Sequence, residues 1–346
     1  MESERILGQN HILRHFENAI RMGKISHAYI INGEEGSGKM NLAIHCAKAL
    51  QCERNNSNKA INEDGERITV PGTACGQCKS CKQTDSKNQP DIKYITYEKS
   101  GIGVDEIREQ INDDIDIKPY SSPYKIYIVP ESEKMTVQAQ NALLKTIEEP
   151  PEYAIIILLT TNADTFLQTI LSRCVMLNIR PVKEDIIKNQ LTSQYGVGDY
   201  EARVAATFSN GNPGKAIKLA TSEEFKELKQ YVVGMFMSLE KGGMDIIGEA
   251  IKKTGTFKKQ IDEYFSLMRI WFRDILVYKA TKEEDQIIFQ DEYMTIEKMS
   301  QTYSFDGIND ILKAIDLAES RIKSNVNFDS TIEILLLSIK EKTSGK

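Results

Sequence analysis

A glycine-rich segment, Gly33-Glu34-Glu35-Gly36-Ser37-Gly38-Lys39-Met40, follows directly on the apolar run Ala28–Asn32 and leads into a helical pattern over Lys39–Leu50. A strand, a tight glycine loop and a helix in that order leave few folds open. The loop must lie beyond the carboxyl end of a strand, where backbone N–H groups and a helix N-terminus make a concave anion site. Gly33, Gly36, Gly38 and Lys39 fit the spacing G-x-x-x-x-G-K-[ST], in which the backbone cradles phosphates and the lysine reaches the β/γ oxygens. The last position breaks the pattern: Met40 stands where a Ser or Thr hydroxyl would meet magnesium. A second departure of the same kind ends the apolar run Lys125–Val129. A magnesium-holding Asp belongs there, and Pro130 followed by Glu131 stands instead. The expectation is a nucleotide-binding scaffold whose phosphate site is weak or vestigial and which does not hydrolyse nucleotide by itself.

The rest of the first half supports that frame. Strands are expected at Ala28–Asn32, Ile92–Thr96, Lys125–Val129, Ala154–Thr160 and Cys174–Asn178. Helices are expected between them at Lys39–Leu50, Val104–Asn112, Val137–Ile147 and Thr165–Leu171, an alternation that implies parallel β-α-β units. After Pro181 the strand signals largely stop. Short helices are expected over Val182–Tyr195, Tyr200–Ser209 and, past the break Gly211-Asn212-Pro213-Gly214, Lys215–Ala220. Long amphipathic stretches follow near Phe257–Ala280 and Ile308–Ser324. The fold class is therefore α/β followed by all-α, and the polar segment Glu53–Ala74 reads as an extended, mobile insertion.

The chain has 346 residues, enough for two or three domains, with 40% apolar and 27% charged residues. A formal charge of −6 argues against a protein that binds nucleic acid alone through a broad basic face. No apolar run approaches a membrane span, and Met1-Glu2-Ser3-Glu4-Arg5 lacks a signal peptide's apolar stretch, so a cytoplasmic protein is expected. Its cysteines are then expected to serve metal rather than disulfides. Cys75-Gly76-Gln77-Cys78-Lys79-Ser80-Cys81 repeats the C-x-x-C spacing that turns two sulfurs toward one ion. Cys52 is the natural fourth ligand of a closed, structural zinc site. An iron–sulfur cluster is a weaker reading, because no cysteine follows Cys81 at C-x3-C spacing; free surface thiols are the bland one. Cys46 and Cys174 read as small buried hydrophobes.

The segment between 124 and 175 carries a resemblance. It contains Tyr124-Lys125-Ile126-Tyr127-Ile128-Val129-Pro130-Glu131, then Asn141-Ala142-Leu143-Leu144-Lys145-Thr146-Ile147-Glu148-Glu149-Pro150-Pro151, then Ser172-Arg173-Cys174. With Ser26-His27-Ala28-Tyr29, the clustered cysteines and Asn325-Val326-Asn327, these motifs resemble the bacterial clamp-loader AAA+ family along the whole chain. Within that family the closest likeness is to the delta-prime type. The resemblance implies a RecA-like AAA+ domain over residues 1–179 with a zinc module at about 52–81, a helical lid over 180–222 and a helical collar over 223–346. It further implies a hetero-pentamer with gamma/tau and delta subunits that opens a sliding clamp and places it on primed DNA, as part of a DNA polymerase holoenzyme.

In that setting ATP is bound by the gamma/tau-type motors, and the Ser-Arg-Cys arginine, here Arg173, reaches a neighbour's ATP as an arginine finger. Such fingers contribute on the order of 10³–10⁵ in rate. The bland alternative for Arg173 is a pair with a surface carboxylate. Motors of the family keep the hydroxyl and the acidic strand end that Met40 and Pro130 replace, which separates this chain from them and leaves Glu131 idle. An ATP-hydrolysing motor is the alternative function, and a zinc-dependent nucleic-acid-binding protein a third. Lys215 falls where relatives carry a basic sensor of nucleotide and is read here as a solvated lysine. His27 is read as a packing or hydrogen-bonding residue, and Trp271 as core of the helical half.

Overall fold

The computed structural model describes residues 6–56, 71–98, 101–241 and 245–344. They form two compact units. The first runs to Ile186 and includes Gly211–Lys215; the second comprises Ile187–Asn210 and the chain from Ala216 on. Most of the polar insertion expected over Glu53–Ala74 lies outside the described residues. Its start, Glu53–Asn56, is a helical turn and not a loop, since the side-chain amides of Asn55 and Asn56 donate back to the Ala49 and Leu50 carbonyls.

The first unit is built on strands β1 Ala28–Asn32, β2 Ile92–Tyr94, β3 Lys125–Val129, β4 Ala154–Thr160 and β5 Val175–Asn178. They form one sheet in the order β2-β3-β4-β1-β5, every pair parallel, with Ile30 opposite Leu158 on one side and Met176 on the other. A parallel sheet is covered on both faces, so its strands are apolar throughout; all seven residues of β4 are buried. Alternation then divides strands β1, β3 and β4 between two cores. Tyr29, Ile31, Ile126, Ile128, Ile155 and Ile157 join helices Asn10–Met22 and Lys39–Leu50 on one face. Ala28, Ile30, Tyr127, Val129, Ile156 and Leu158 join helix Val137–Glu148 and Ile107, Ile111 and Ile115 on the other.

Three elements differ from the pattern in the sequence. Strand β2 stops at Tyr94: Ile95 N still donates to Ile128 O, but both Thr96 N and Thr96 O then turn to the side chain of Gln110. The helix expected at Val104–Asn112 passes from α geometry into a π turn over Arg108–Asn112 and continues to Ile115. The helix expected at Thr165–Leu171 splits into a 3-10 turn, Ala163–Thr165, and a short helix, Gln168–Leu171. Gln140 causes the break: its amide donates to Thr165 O and its carbonyl accepts from Leu167 N.

The second unit packs around helix Ile261–Thr281. Trp271, the only tryptophan of the chain, is fully buried and stacks on Phe236 at 5.6 Å. Three residues on, Asp274 is also fully buried. Its carboxylate accepts from the backbone of Ile288 at 2.7 Å and Phe289 at 2.8 Å, and from Arg273 at 2.8 Å. Burial raises its pKa, and these donors oppose the rise. Asp274 thus ties the turn after the long helix back onto it. Each buried donor left unpaired costs about 1–3 kcal/mol. Asp274→Ala should therefore lower the stability of the second unit by about 2–4 kcal/mol, and Asp274→Asn by less, read from urea unfolding followed by Trp271 fluorescence.

Candidate functional site

The loop after β1 opens with Gly33, whose N–H donates to Thr160 O at the end of β4 (3.1 Å). A Cβ at Gly33 would lie 2.9 Å from the Ile179 side chain, so the backbone passes too close for any other residue. Gly36 and Gly38 take φ values of +77° and +88°, the left-handed region open to glycine, and Gly38 caps helix Lys39–Leu50. The Lys39 ammonium bonds the Gly33 and Glu34 carbonyls at 2.5 and 2.7 Å. Burial lowers its pKa, against the pull of Glu133, Glu35 and Glu34. Met40 does more than lack a hydroxyl: its half-buried side chain packs against the core beneath the loop.

The crown of the loop is clasped by a segment far away in sequence. Asn212, 5% exposed, donates to Glu35 O at 2.7 Å, and Gly214 N donates to Gly36 O at 3.0 Å. The Asn212 carbonyl oxygen accepts from Lys215 N at 3.1 Å. That bond, with Pro213 at the first helical position, makes Asn212 the N-cap of helix Pro213–Thr221. A Cβ at Gly214 would stand 2.4 Å from Gly36 O. In the sequence this stretch signals only a chain break; N-P-G ahead of a helical pattern is the cap signature that was there to be read. Lys215 itself is exposed, in keeping with its reading as a solvated lysine.

At the end of β3, Pro130 offers no side-chain ligand and Glu131 adopts φ +46°, uncommon for a residue with a Cβ. Lys134 donates to one Glu131 oxygen at 2.9 Å, and the Tyr97 hydroxyl makes a short bond to the other. Tyr97 and Lys134 hold the carboxyl below the usual carboxylate range. With both oxygens engaged by its own neighbours, Glu131 is poorly placed to take a proton from water. Tyr97 does not stand out in the sequence, because its contact joins residues 34 positions apart, whereas Lys134 lies only three residues from Glu131.

Arg173 follows the short helix Gln168–Leu171. Its Nη1 donates to Thr169 O at 3.0 Å and to Ser172 Oγ at 3.3 Å, and its Nη2 lies 3.0 Å from Glu148 Oε1. The surface pair weighed from the sequence is therefore present, yet the Arg173 side chain stays 41% exposed. His27 bonds Ala154 O at 2.9 Å, the hydrogen-bonding role among those expected of it.

The structure brings Cys52, Cys75, Cys78 and Cys81 together, with all four sulfurs within 4.8 Å of one another. A tetrahedron with bonds of about 2.3 Å has its corners about 3.8 Å apart; Cys75 and Cys81 sulfurs are 3.9 Å apart. Backbone N–H groups of Cys75, Cys78 and Cys81 point at the sulfurs of Cys52, Cys75 and Cys78. Those of Gln77 and Cys78 lower the Cys75 thiol to about 6, which favours the thiolate a metal needs. The donor set fits a metal ion. Cys46, in contrast, is buried and its thiol pushed well up, as suits a core residue; Cys174, expected to be buried in a strand, is half-buried and lies just before β5, though burial still raises its thiol to about 12.

Two family models match the chain. One, described as DNA polymerase III, delta subunit, covers residues 8–183, and another, described as DNA polymerase III, delta subunit, C terminal, covers 248–341. The Bacillus subtilis DNA polymerase III subunit delta' is 26% identical over 96% of each chain. The tau subunit of the same organism is 33% identical over 62% of this chain but only 36% of its own length. A gamma subunit-related protein of Thermotoga maritima, a solved structure, aligns over 96% of this chain and 99% of its own at 20% identity, with a TM-score of 0.39.

Asn212→Ala removes both the helix cap and the bond to the loop crown. It should destabilise the clasp by about 1–2 kcal/mol, measured as roughly tenfold faster amide hydrogen exchange at residues 36–38 with the sheet amides unchanged.

Proposed function

Since the chain belongs to the DNA polymerase III delta-subunit family, we propose that it is the delta-prime-type member of a bacterial clamp loader: a non-catalytic stator that lends Arg173 to a neighbour's ATP. One observation carries this reading. Metal-holding groups are missing at both Met40 and Pro130, and Met40 is packed into the core, while Arg173 keeps an exposed guanidinium. A guanidinium needs no metal of its own to act in trans. It stabilises charge that develops on phosphates bound elsewhere.

In this reading the partners are gamma/tau and delta subunits in a hetero-pentamer, with a sliding clamp and primed DNA as what the assembly acts on. The near-complete coverage of the Bacillus delta' relative, against partial coverage of tau, supports the delta-prime assignment over a motor. The helices after residue 180 are taken as a lid over 180–222 and a collar over 223–346. Gly33, Gly36, Gly38 and Lys39 are left as a vestigial phosphate site whose own polar groups bond one another. Cys52, Cys75, Cys78 and Cys81 hold a structural zinc ion, four thiolates leaving no open position for chemistry.

Two experiments test the proposal. In a reconstituted loader, Arg173→Ala should slow hydrolysis at the one site it serves by on the order of 10³-fold. Single-turnover measurements would show this as the loss of that site's share of the fast phase, with assembly intact. An undiminished fast phase, or steady turnover by the purified chain that Lys39→Ala abolishes, would overturn it. Separately, Cys78→Ser should reduce metal content from about one zinc per chain to near none; unchanged metal would refute the four-thiolate site.

A further inference from the structure

Arg173 is held on one side and open on the other. Nη1 spends its hydrogens on Thr169 O and Ser172 Oγ, and Nη2 pairs with Glu148 Oε1 at 3.0 Å. Among the described residues, Nε has no hydrogen-bond partner, so Nε–H and the second Nη2–H remain available together. Glu148 is the last residue of helix Val137–Glu148. That helix end is well anchored: Asn112 donates to Ala142 O at 3.0 Å and accepts from the Thr146 hydroxyl at 3.0 Å. The carboxylate therefore projects from an anchored helix end, and the guanidinium meets it there.

We propose that Glu148 is a positioning residue for Arg173, steering the guanidinium so that its Nε–H edge faces the phosphates of a nucleotide held by a neighbouring subunit. The inference rests on the trans-acting role proposed above for Arg173. The magnitudes separate steering from capture. Glu148 and Arg173 side chains are 44% and 41% exposed, and an exposed pair biases an equilibrium by about fivefold at most. That is too little to keep a guanidinium from a triphosphate. It is enough to favour one rotamer of a side chain that would otherwise lose its freedom on reaching the phosphates.

The test is Glu148→Gln in the reconstituted loader. The single-turnover rate at the site served by Arg173 should fall about three- to fivefold, with the KM for ATP and the assembly unchanged. Glu148→Asp should restore part of the rate. In an Arg173→Ala background Glu148→Gln should change nothing further. A rate equal to the native loader's would overturn the inference. So would a faster rate, since Glu148 would then be restraining Arg173, or an equal slowing in the Arg173→Ala background. The two readings fail separately: if Arg173→Ala is damaging and Glu148→Gln is silent, only the positioning role falls. If Arg173→Ala is itself silent, the trans role falls and takes the positioning role with it.

Discussion

Every strand of the sheet runs in the same direction, and the first unit is arranged around that constraint. Parallel strands deliver their carboxyl ends to one edge, so segments that are distant in sequence meet there. The glycine loop leaves β1, Pro130 and Glu131 leave β3, and Thr160 to Asn162 leave β4. Thr160 O receives the first N–H of the loop, and the Gln9 side chain ties the Arg180 peptide beyond β5 through bonds to both its N–H and its carbonyl. The direction of the strands also dictates their composition. With helices on both faces, alternate residues of the inner strands β3 and β4 face two different cores and are buried throughout, while the edge strand β5 leaves Met176 and Asn178 exposed.

A polar edge that lacks metal ligands still has donors and acceptors to satisfy. Here they are satisfied internally. Lys39 bonds the loop's carbonyls, Glu131 bonds Tyr97 and Lys134, Glu133 accepts from Thr161 N and its hydroxyl, and Asn212 and Gly214 cover the crown. Lys39, Glu131 and Glu133 each have partners within their own chain. That arrangement fills the hydrogen bonds of the edge from within the chain, and it fits the outward role proposed above for Arg173.

How far the sequence foretold this depends on the range of each interaction. Strands β1, β3 and β4 and helix Lys39–Leu50 match their expected limits residue for residue, because periodicity and the glycine loop are local signals. Cys52 was assignable despite its distance from Cys75, since a tetrahedral site demands a fourth ligand and few cysteines were available. Tyr97 and Glu148 do not stand out in the sequence, since each acts through a contact between residues far apart in the chain. Asn212 carries a local sign, the N-P-G cap ahead of a helical pattern, but its bond to the loop crown has none. The splitting of the helix near Thr165 has the same origin, because one distant side chain, Gln140, takes up its backbone groups.

The packing of Met40 gives the mouth of the loop a second task. Its half-buried side chain lies against the core, so the residue contributes to cohesion as well as to the shape of the loop. Replacing it with a threonine would add a hydroxyl to the loop but withdraw apolar atoms from the surface beneath, at about 0.8 kcal/mol for each buried methylene lost. A hydroxyl at position 40 therefore comes at the expense of the interior, and two demands compete at a single residue.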